Sequence, residues 1–177
     1  MDITFENFKI TPLDTNEGEK FFKLIDNNRE RLEDFFSGTI SKTKTLHDTY
    51  AYCYDIRQLV LDRRYFPFII KNLKTDMLIG LIDIKNIDWH IPKAEIGYFI
   101  DADYEGQGVI SKSLGFVIEY LSKTYHFKKL LCRSNSRNIG SIAVAKKNGF
   151  TLEGTIKKDY KTTKGEVVDL DYYGRVF

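Results

Sequence analysis

The chain has 177 residues, 42% of them hydrophobic and 14% aromatic, which is enough for one packed domain and too apolar for disorder. Its 27 basic and 25 acidic side chains leave a formal charge of +2, so no global field of the kind that draws nucleic acid or a membrane surface is present.

Ile3-Thr4-Phe5-Glu6-Asn7-Phe8-Lys9-Ile10 alternates imperfectly and predicts a strand that stops near Pro12. Asp14, with Glu17 three residues on, predicts the cap of a helix over Thr15–Asn27, although Gly18 weakens its first turn. A second helical piece, Arg29–Phe36, ends at Ser37-Gly38, and a third, aromatic helix covers about Thr45–Arg63. Tyr65–Ile70 and Met77–Ile84 are short apolar runs joined by a polar turn and read as an antiparallel hairpin. Ala94–Ile100 is the next strand, after a loop with Trp89, His90 and Pro92. Ile110, Leu114, Val117 and Leu121 recur at helical spacing; Lys129–Arg133 is a strand, and Arg137–Lys147 a helix. Phe150–Tyr160 and Glu166–Phe177 close the chain as a hairpin turning near Lys164-Gly165. The order is mixed α/β (α+β), with helices inserted into a largely antiparallel sheet, in a single domain over residues 1–177.

The paired phenylalanines Phe21-Phe22 and Phe35-Phe36 read as core, and Tyr172-Tyr173 as one side chain inward and one outward. Cys53 and Cys132 have neither zinc nor redox spacing and read as packing residues. His47, His90 and His126 have no partners at metal spacing, so no metal site is expected. The N-terminus lacks the basic-then-apolar pattern of a signal peptide, and no apolar run approaches the roughly 20 residues that span a bilayer. The expected setting is the cytoplasm.

The segment richest in chemical information is Glu105-Gly106-Gln107-Gly108-Val109-Ile110, a glycine turn between a strand and a helix start. The first amides of that helix lack intrahelical acceptors, and the helix dipole adds partial positive charge. Gly106 and Gly108 let the backbone approach a ligand with no Cβ in the way, which suits a pyrophosphate. A second segment, Asn138-Ile139-Gly140-Ser141, opens another helix that ends in Asn148-Gly149-Phe150. The strand before the glycine loop follows antiparallel-looking strands rather than opening a βαβ unit, which argues against a dinucleotide fold. Val109-Ile110-Ser111 stands where a nucleoside-triphosphatase loop needs Lys and Ser or Thr, so ATP is disfavoured as well.

Ala94-Glu95-Ile96-Gly97-Tyr98, the glycine loop, Asn138–Phe150 and Leu152-Glu153-Gly154 together resemble the GNAT superfamily of acetyl-CoA-dependent N-acetyltransferases, in its ribosomal-protein N-terminal (Rim-type) branch. Asn28-Arg29-Glu30-Arg31-Leu32 is similar to the first-helix region of that branch. The resemblance implies a GNAT-like, largely antiparallel central sheet with helices on both faces. Two positions depart from the family pattern. Glu105 stands where glutamine or arginine is usual, and its side chain is expected to face solvent, away from a pyrophosphate; Ile110 stands where glycine or alanine is usual. The tyrosine that protonates the thiolate in many members would fall at Ala145, a gap the Rim-type branch shares, with Ser141 as the usual stand-in.

The implied reaction is attack of an amine on a thioester carbonyl through a tetrahedral oxyanion. Acetyl-CoA, as co-substrate, would place its phosphates on the amides of Gln107, Gly108, Val109 and Ile110 of the Gly106-to-Ile110 loop. Its pantetheine arm would pair with Tyr98, Phe99 and Ile100 and with the Asn138 side chain. Gly97 lets the strand splay there, and the amide of Phe99 or Ile100 could meet the oxyanion; one such donor is commonly worth about 3 kcal/mol. Glu95 is the candidate base, directly or through water, and the competing reading pairs it with a lysine on an exposed sheet face. Ser141 is the candidate acid for the thiolate or else a helix-start hydrogen bonder, and Asn138 is a ligand contact or else a helix cap. The acceptor expected is the α-amine of a protein N-terminus, with a polyamine or aminoglycoside as alternative. A catalytically silent acyl-CoA-binding module is the alternative outside enzymes. No nucleic-acid or membrane partner is expected, and a homodimer is left open.

Overall fold

A computed structural model describes all 177 residues, Met1–Phe177. Eight strands form one sheet in the order β1-β2-β3-β4-β5-β6-β8-β7. In sequence they are β1 (Ile3–Phe5), β2 (Phe8–Pro12), β3 (Phe66–Asn72), β4 (Met77–Asp88), β5 (Lys93–Ile100), β6 (Lys129–Ser134), β7 (Thr151–Lys161) and β8 (Val167–Val176). The helices are α1 (Gly18–Leu32), α2 (Ser37–Lys42), α3 (Leu46–Leu61), α4 (Val109–Tyr125) and α5 (Ile139–Lys147). β5 pairs with β6 in parallel, whereas β1–β2, β2–β3, β6–β8 and β7–β8 are antiparallel. Residue contacts cluster into two units, Met1–Asp83 with Tyr98–Gln107, and Ile84–Gly97 with Gly108–Phe177.

In the first unit, the single strand expected over residues 3–10 is a hairpin instead. Glu6 adopts a left-handed φ of 49°, and Phe5 pairs with Phe8 across the reversal. Leu73 N then bonds Asn7 O at 2.8 Å. The start of α1 also differs from the sequence reading. Asp14 accepts from the Thr15 hydroxyl and makes no side-chain cap bond, so Thr15–Glu17 form a 3₁₀ turn and the α-helix begins at Gly18. Gly18 is useful at that point, because a Cβ there would lie 2.6 Å from the Tyr50 ring. The helix does not break near Asn27, since Asn28 turns its carboxamide back on the Leu24 carbonyl at 2.9 Å and the turns continue to Leu32. Ser37-Gly38 opens α2 rather than ending a helix. A reciprocal capping box between Thr45 and Asp48 starts α3.

The core of this unit gathers Phe21, Leu24, Ile25, Cys53, Ile56, Ile69, Leu81 and Phe99. Phe36 packs edge-on against Phe99, but Phe35, expected in the core, is 41% exposed. Burial, with the Asp14 charge, pushes the Cys53 thiol up to about 11, so it stays protonated and serves as packing.

A buried polar chain crosses the same region. The Tyr65 hydroxyl donates to Asp83 Oδ2 at 3.2 Å, Tyr52 Oη lies 3.4 Å from Tyr65 Oη, and Thr39 Oγ1 lies 3.5 Å from Tyr52 Oη. Asp83 is only 3% exposed, and burial, reinforced by the Asp83 charge, holds the Tyr65 pKa well above its ordinary value. Removing a donor from a buried carboxylate costs about 1–3 kcal/mol. Tyr65→Phe is therefore expected to lower the unfolding free energy by that amount, read as a lower urea midpoint at an unchanged m-value, and Tyr52→Phe, with longer contacts, by less. An unchanged midpoint for Tyr65→Phe would show that the chain carries no net stability.

In the second unit, Val109, Leu114, Val117, Ile118 and Leu121 form the buried stripe of α4. Trp89 packs against Phe127 (5.1 Å between ring centroids) and Tyr125 (6.2 Å), as a structural aromatic would. Cys132 is buried, and Tyr173 points inward while the Tyr172 hydroxyl donates to Asp159. β7, last in the sheet order, carries exposed lysines and two register shifts, the usual blunting of an edge strand. No helix is long and apolar enough to cross a membrane.

Candidate active site

The glycine loop has the backbone the sequence calls for. Gly106 and Gly108 both lie in the left-handed region, at φ 72° and 76°, and a Cβ built on either meets nothing within 4 Å. Gly108 is the N-cap of α4, and the first intrahelical bond runs from Lys112 N to Gly108 O at 3.0 Å. The amides of Gly108, Val109, Ile110 and Ser111 thus precede the ladder, as at any helix start. Gln107 turns its side chain back to the Asp103 carbonyl at 2.8 Å, which leaves its main chain as the part suited to an anion. The Val109 side chain is buried and anchors the turn.

Asn148 stiffens the start of α4. Its Nδ2 donates to Ser111 O (3.1 Å), Ser111 Oγ (3.2 Å) and Val144 O (2.9 Å), which ties the end of α5 to the first turn of α4. The bond from Arg175 Nη1 to Asn148 O at 2.7 Å holds the other side of that residue. From the sequence alone, Asn148 reads only as the end of a helix. The signal available was Gly115, one turn beyond Ser111, where a Cβ would lie 3.2 Å from Asn148 Oδ1.

The register of β5 with β6 is short. It comprises Lys93↔Lys129, Ala94↔Leu130 and Glu95↔Leu131, although β5 runs on to Ile100 and β6 to Ser134. A strand whose ladder stops before its end has amides and carbonyls available for a peptide-like partner. Tyr98 is half-buried, while the Phe99 and Ile100 side chains are buried, so only their main chain is suited to a ligand. Gly80 of β4 permits the close approach there, since a Cβ on it would meet the Phe99 carbonyl at 2.9 Å.

Glu95 sits in a polar cluster. Oε1 accepts from Arg133 Nη2 at 3.0 Å and lies 3.9 Å from Lys85 Nζ, and Oε2 accepts from Asn86 Nδ2 at 2.9 Å. Arg133 extends the cluster to Asp159 at 3.8 Å and to the Tyr172 ring at 5.9 Å. Burial disfavours the guanidinium charge, but Glu95 and Tyr172 together hold the Arg133 pKa up. Glu95 is thus a fixed, ion-paired carboxylate. The sequence offers Glu95 either as a base or as the partner of a lysine; Lys85 does lie near it, and Arg133 is the partner the sequence does not show.

Asn138 is the N-cap of α5, with Oδ1 accepting from Ser141 N at 3.0 Å. Its carboxamide oxygen is committed to the cap, so only the nitrogen is suited to a ligand. Ser141 is half-buried in the first turn of α5. Ala145, at the place of the usual tyrosine, is 1% exposed and part of the core.

A glycine cradle at a helix start, a short strand register before it and a second capped helix are GNAT features, and the acetyltransferase (GNAT) domain model matches residues 8–151. This chain belongs to the GNAT acetyltransferase family. It is an acetyl-CoA-dependent N-acetyltransferase. Among relatives, the ribosomal-protein-serine acetyltransferase of Escherichia coli (strain K12) is 33% identical over 100 residues, a match spanning 56% of each chain. Among solved structures, RimL, a ribosomal L7/L12 alpha-N-protein acetyltransferase in complex with coenzyme A, superposes with a TM-score of 0.91. The identity is 21%, over 100% of this chain and 98% of that one. The microcin C7 self-immunity acetyltransferase MccE, in complex with acetyl-CoA and AMP, gives 0.86 at 19% identity, over 98% and 94% of the two chains. At those identities the likeness is one of fold.

Proposed function

We propose that this acetyltransferase, with residues 1–177 acting as one domain in the cytoplasm, acetylates the α-amine at a protein N-terminus, a ribosomal protein being the first candidate. The observation that carries the acceptor class is the state of Glu95, whose two oxygens already accept from Arg133 and Asn86. Such a carboxylate offers little help in deprotonating a lysine ammonium. Only the neutral amine attacks, and reference pKa values of about 7.7–8.0 and 10.4 give an α-amine a few hundred times more neutral form near pH 7. The match to a ribosomal-protein-serine acetyltransferase supports the same acceptor.

In this reading, the loop from Gly106 to Ile110 receives the phosphates of acetyl-CoA on main-chain amides. The edge of β5 from Tyr98 to Ile100 pairs with the pantetheine arm, aided by the Asn138 carboxamide nitrogen. An amide of Phe99 or Ile100 stabilises the oxyanion. The amine nitrogen forms its bond to the carbonyl carbon, which makes its proton acidic enough for a weak base; that proton passes to water beside Glu95, and the carbon–sulfur bond breaks. The Ser141 hydroxyl donates to the departing thiolate.

Mass spectrometry of ribosomal proteins from cells with and without this chain tests the acceptor. At least one N-terminal acetyl group is expected to vanish in its absence. Unchanged N-termini, together with rapid acetylation of spermidine or an aminoglycoside by the purified protein, would make it a small-amine enzyme. Acetyl-CoA binding with no CoA release towards any amine would make it a silent acyl-CoA-binding module.

A further inference from the structure

Glu105 poses an electrostatic problem for any anion on the glycine loop. Asp101, Asp103 and Glu105 place three carboxylates within the five residues before Gly106, immediately ahead of the proposed phosphate site. The structure shows how the main chain and α1 answer two of them, Asp101 and Glu105. Asp101 Oδ1 accepts from Asp103 N at 3.0 Å, and its Oδ2 accepts from Asn28 Nδ2 at 2.7 Å. Asn28, 2% exposed, also receives Ala102 N on its Oδ1 at 3.3 Å. Arg31, one turn further along α1, donates through Nη1 to that same Oδ1 at 2.6 Å and through Nη2 to Glu105 Oε1. Glu105 is exposed, as its position predicts, but it does not stand alone in solvent: it is ion-paired. One guanidinium therefore binds both the buried carboxamide that holds residues 101–102 and the carboxylate that opens the loop. Arg29 is not available for this, since its guanidinium is spent on Asp26 and on the Ile40 and Thr43 carbonyls.

We propose that Arg31 is a positioning residue of the acyl-donor site. It neutralises Glu105 and, with Asn28, holds residues 101–105 so that Gly106–Gly108 present their amides to the donor's phosphates. The inference rests on the reading of that loop as the acetyl-CoA site, and it accounts for how a carboxylate can stand where the family has glutamine or arginine. The Arg31–Glu105 pair is a charge-compensated replacement, in which Glu105 depends on Arg31 and not the reverse. A bare Glu105 repels the phosphates, and a bare Arg31 attracts them.

The signs make the test sharp. Calorimetry on the wild-type protein first establishes acetyl-CoA binding; its absence would overturn the donor-site reading itself. Given binding, Arg31→Ala is expected to raise the KM for acetyl-CoA about 5- to 10-fold at low salt with kcat held within about 2-fold, the mark of lost uniform binding. The effect should shrink to about 2-fold in 0.5 M salt, since added ions screen exposed charges. Glu105→Gln alone should lower KM below the wild-type value. The double variant Arg31→Ala/Glu105→Gln should return KM towards wild type, and Arg31→Lys should fall between. A merely structural pair predicts a fall in Tm, no dependence on salt, and a double variant no better than Arg31→Ala. That result, or an Arg31→Ala protein with unchanged KM while the wild type binds, would overturn the proposal and leave the donor site in place.

Discussion

Gly108→Asp is expected to weaken acetyl-CoA binding at least 100-fold in a protein that still folds. Gly108 sits at φ 76° and ψ 0°, the left-handed cap of a helix of 17 residues. L-residues pay about 1–2 kcal/mol for that conformation, but asparagine and aspartate tolerate it best. A Cβ there has open space around it, so the substitution produces no clash. What aspartate does add is a carboxylate at the mouth of the amides that would otherwise meet a pyrophosphate, and it offers those amides an intramolecular acceptor as well. Gly108→Asn separates the contributions, since it has the same shape and backbone preference without the charge. Asparagine should cost about tenfold, and aspartate at least a further tenfold, each factor of ten being about 1.4 kcal/mol. Titration calorimetry, with circular dichroism as the check on folding, measures both. Unchanged affinity in folded Gly108→Asp would move the donor site elsewhere.

The elements that carry this prediction were legible because their signals are local. Glycines at 106 and 108 announce a left-handed turn, the apolar spacing of α4 announces its buried face, and Asn138 three residues before Ser141 announces a cap. The N-terminal hairpin was not legible, because its reversal uses a left-handed Glu6, a residue with no preference for that conformation. The start of α1 was missed for a related reason. Asp14 had a closer partner in the Thr15 hydroxyl than in the helix amides, and nothing in the sequence ranks those bonds. The polar contacts that brace the site were hidden by distance along the chain. Arg31 and Glu105 are 74 positions apart, Asn148 and Ser111 37, and Glu95 and Arg133 38. Each of these residues reads alone as a solvated charge, a helix end or a candidate base, and only the fold supplies its partner.

Ser141→Ala is expected to lower kcat about 100-fold while leaving acetyl-CoA affinity within about 2-fold and the folded state nearly intact. The magnitude is the low end for losing a positioned acid from a transition state. The reason to look to Ser141 is the absence of a hydroxyl at residue 145, where alanine is 1% exposed and walled in by core. The α5 cap survives the substitution because its bond runs from Ser141 N to Asn138 Oδ1, and alanine keeps that amide. Asn138→Ala, by contrast, deletes the cap itself and should cost about 1 kcal/mol of stability. The pair of variants therefore divides two roles that sequence alone could not separate. If Ser141 only supports the helix start, its alanine variant will show a lower Tm and unchanged turnover per folded molecule. If it serves the thiolate, turnover will fall at saturating acetyl-CoA with Tm almost unmoved, the pattern of an interaction made mainly in the transition state. Replacing Ala145 with tyrosine cannot stand in for this test. A phenol forced into that packed position would cost about 1–3 kcal/mol through overpacking and would mask any proton it could supply.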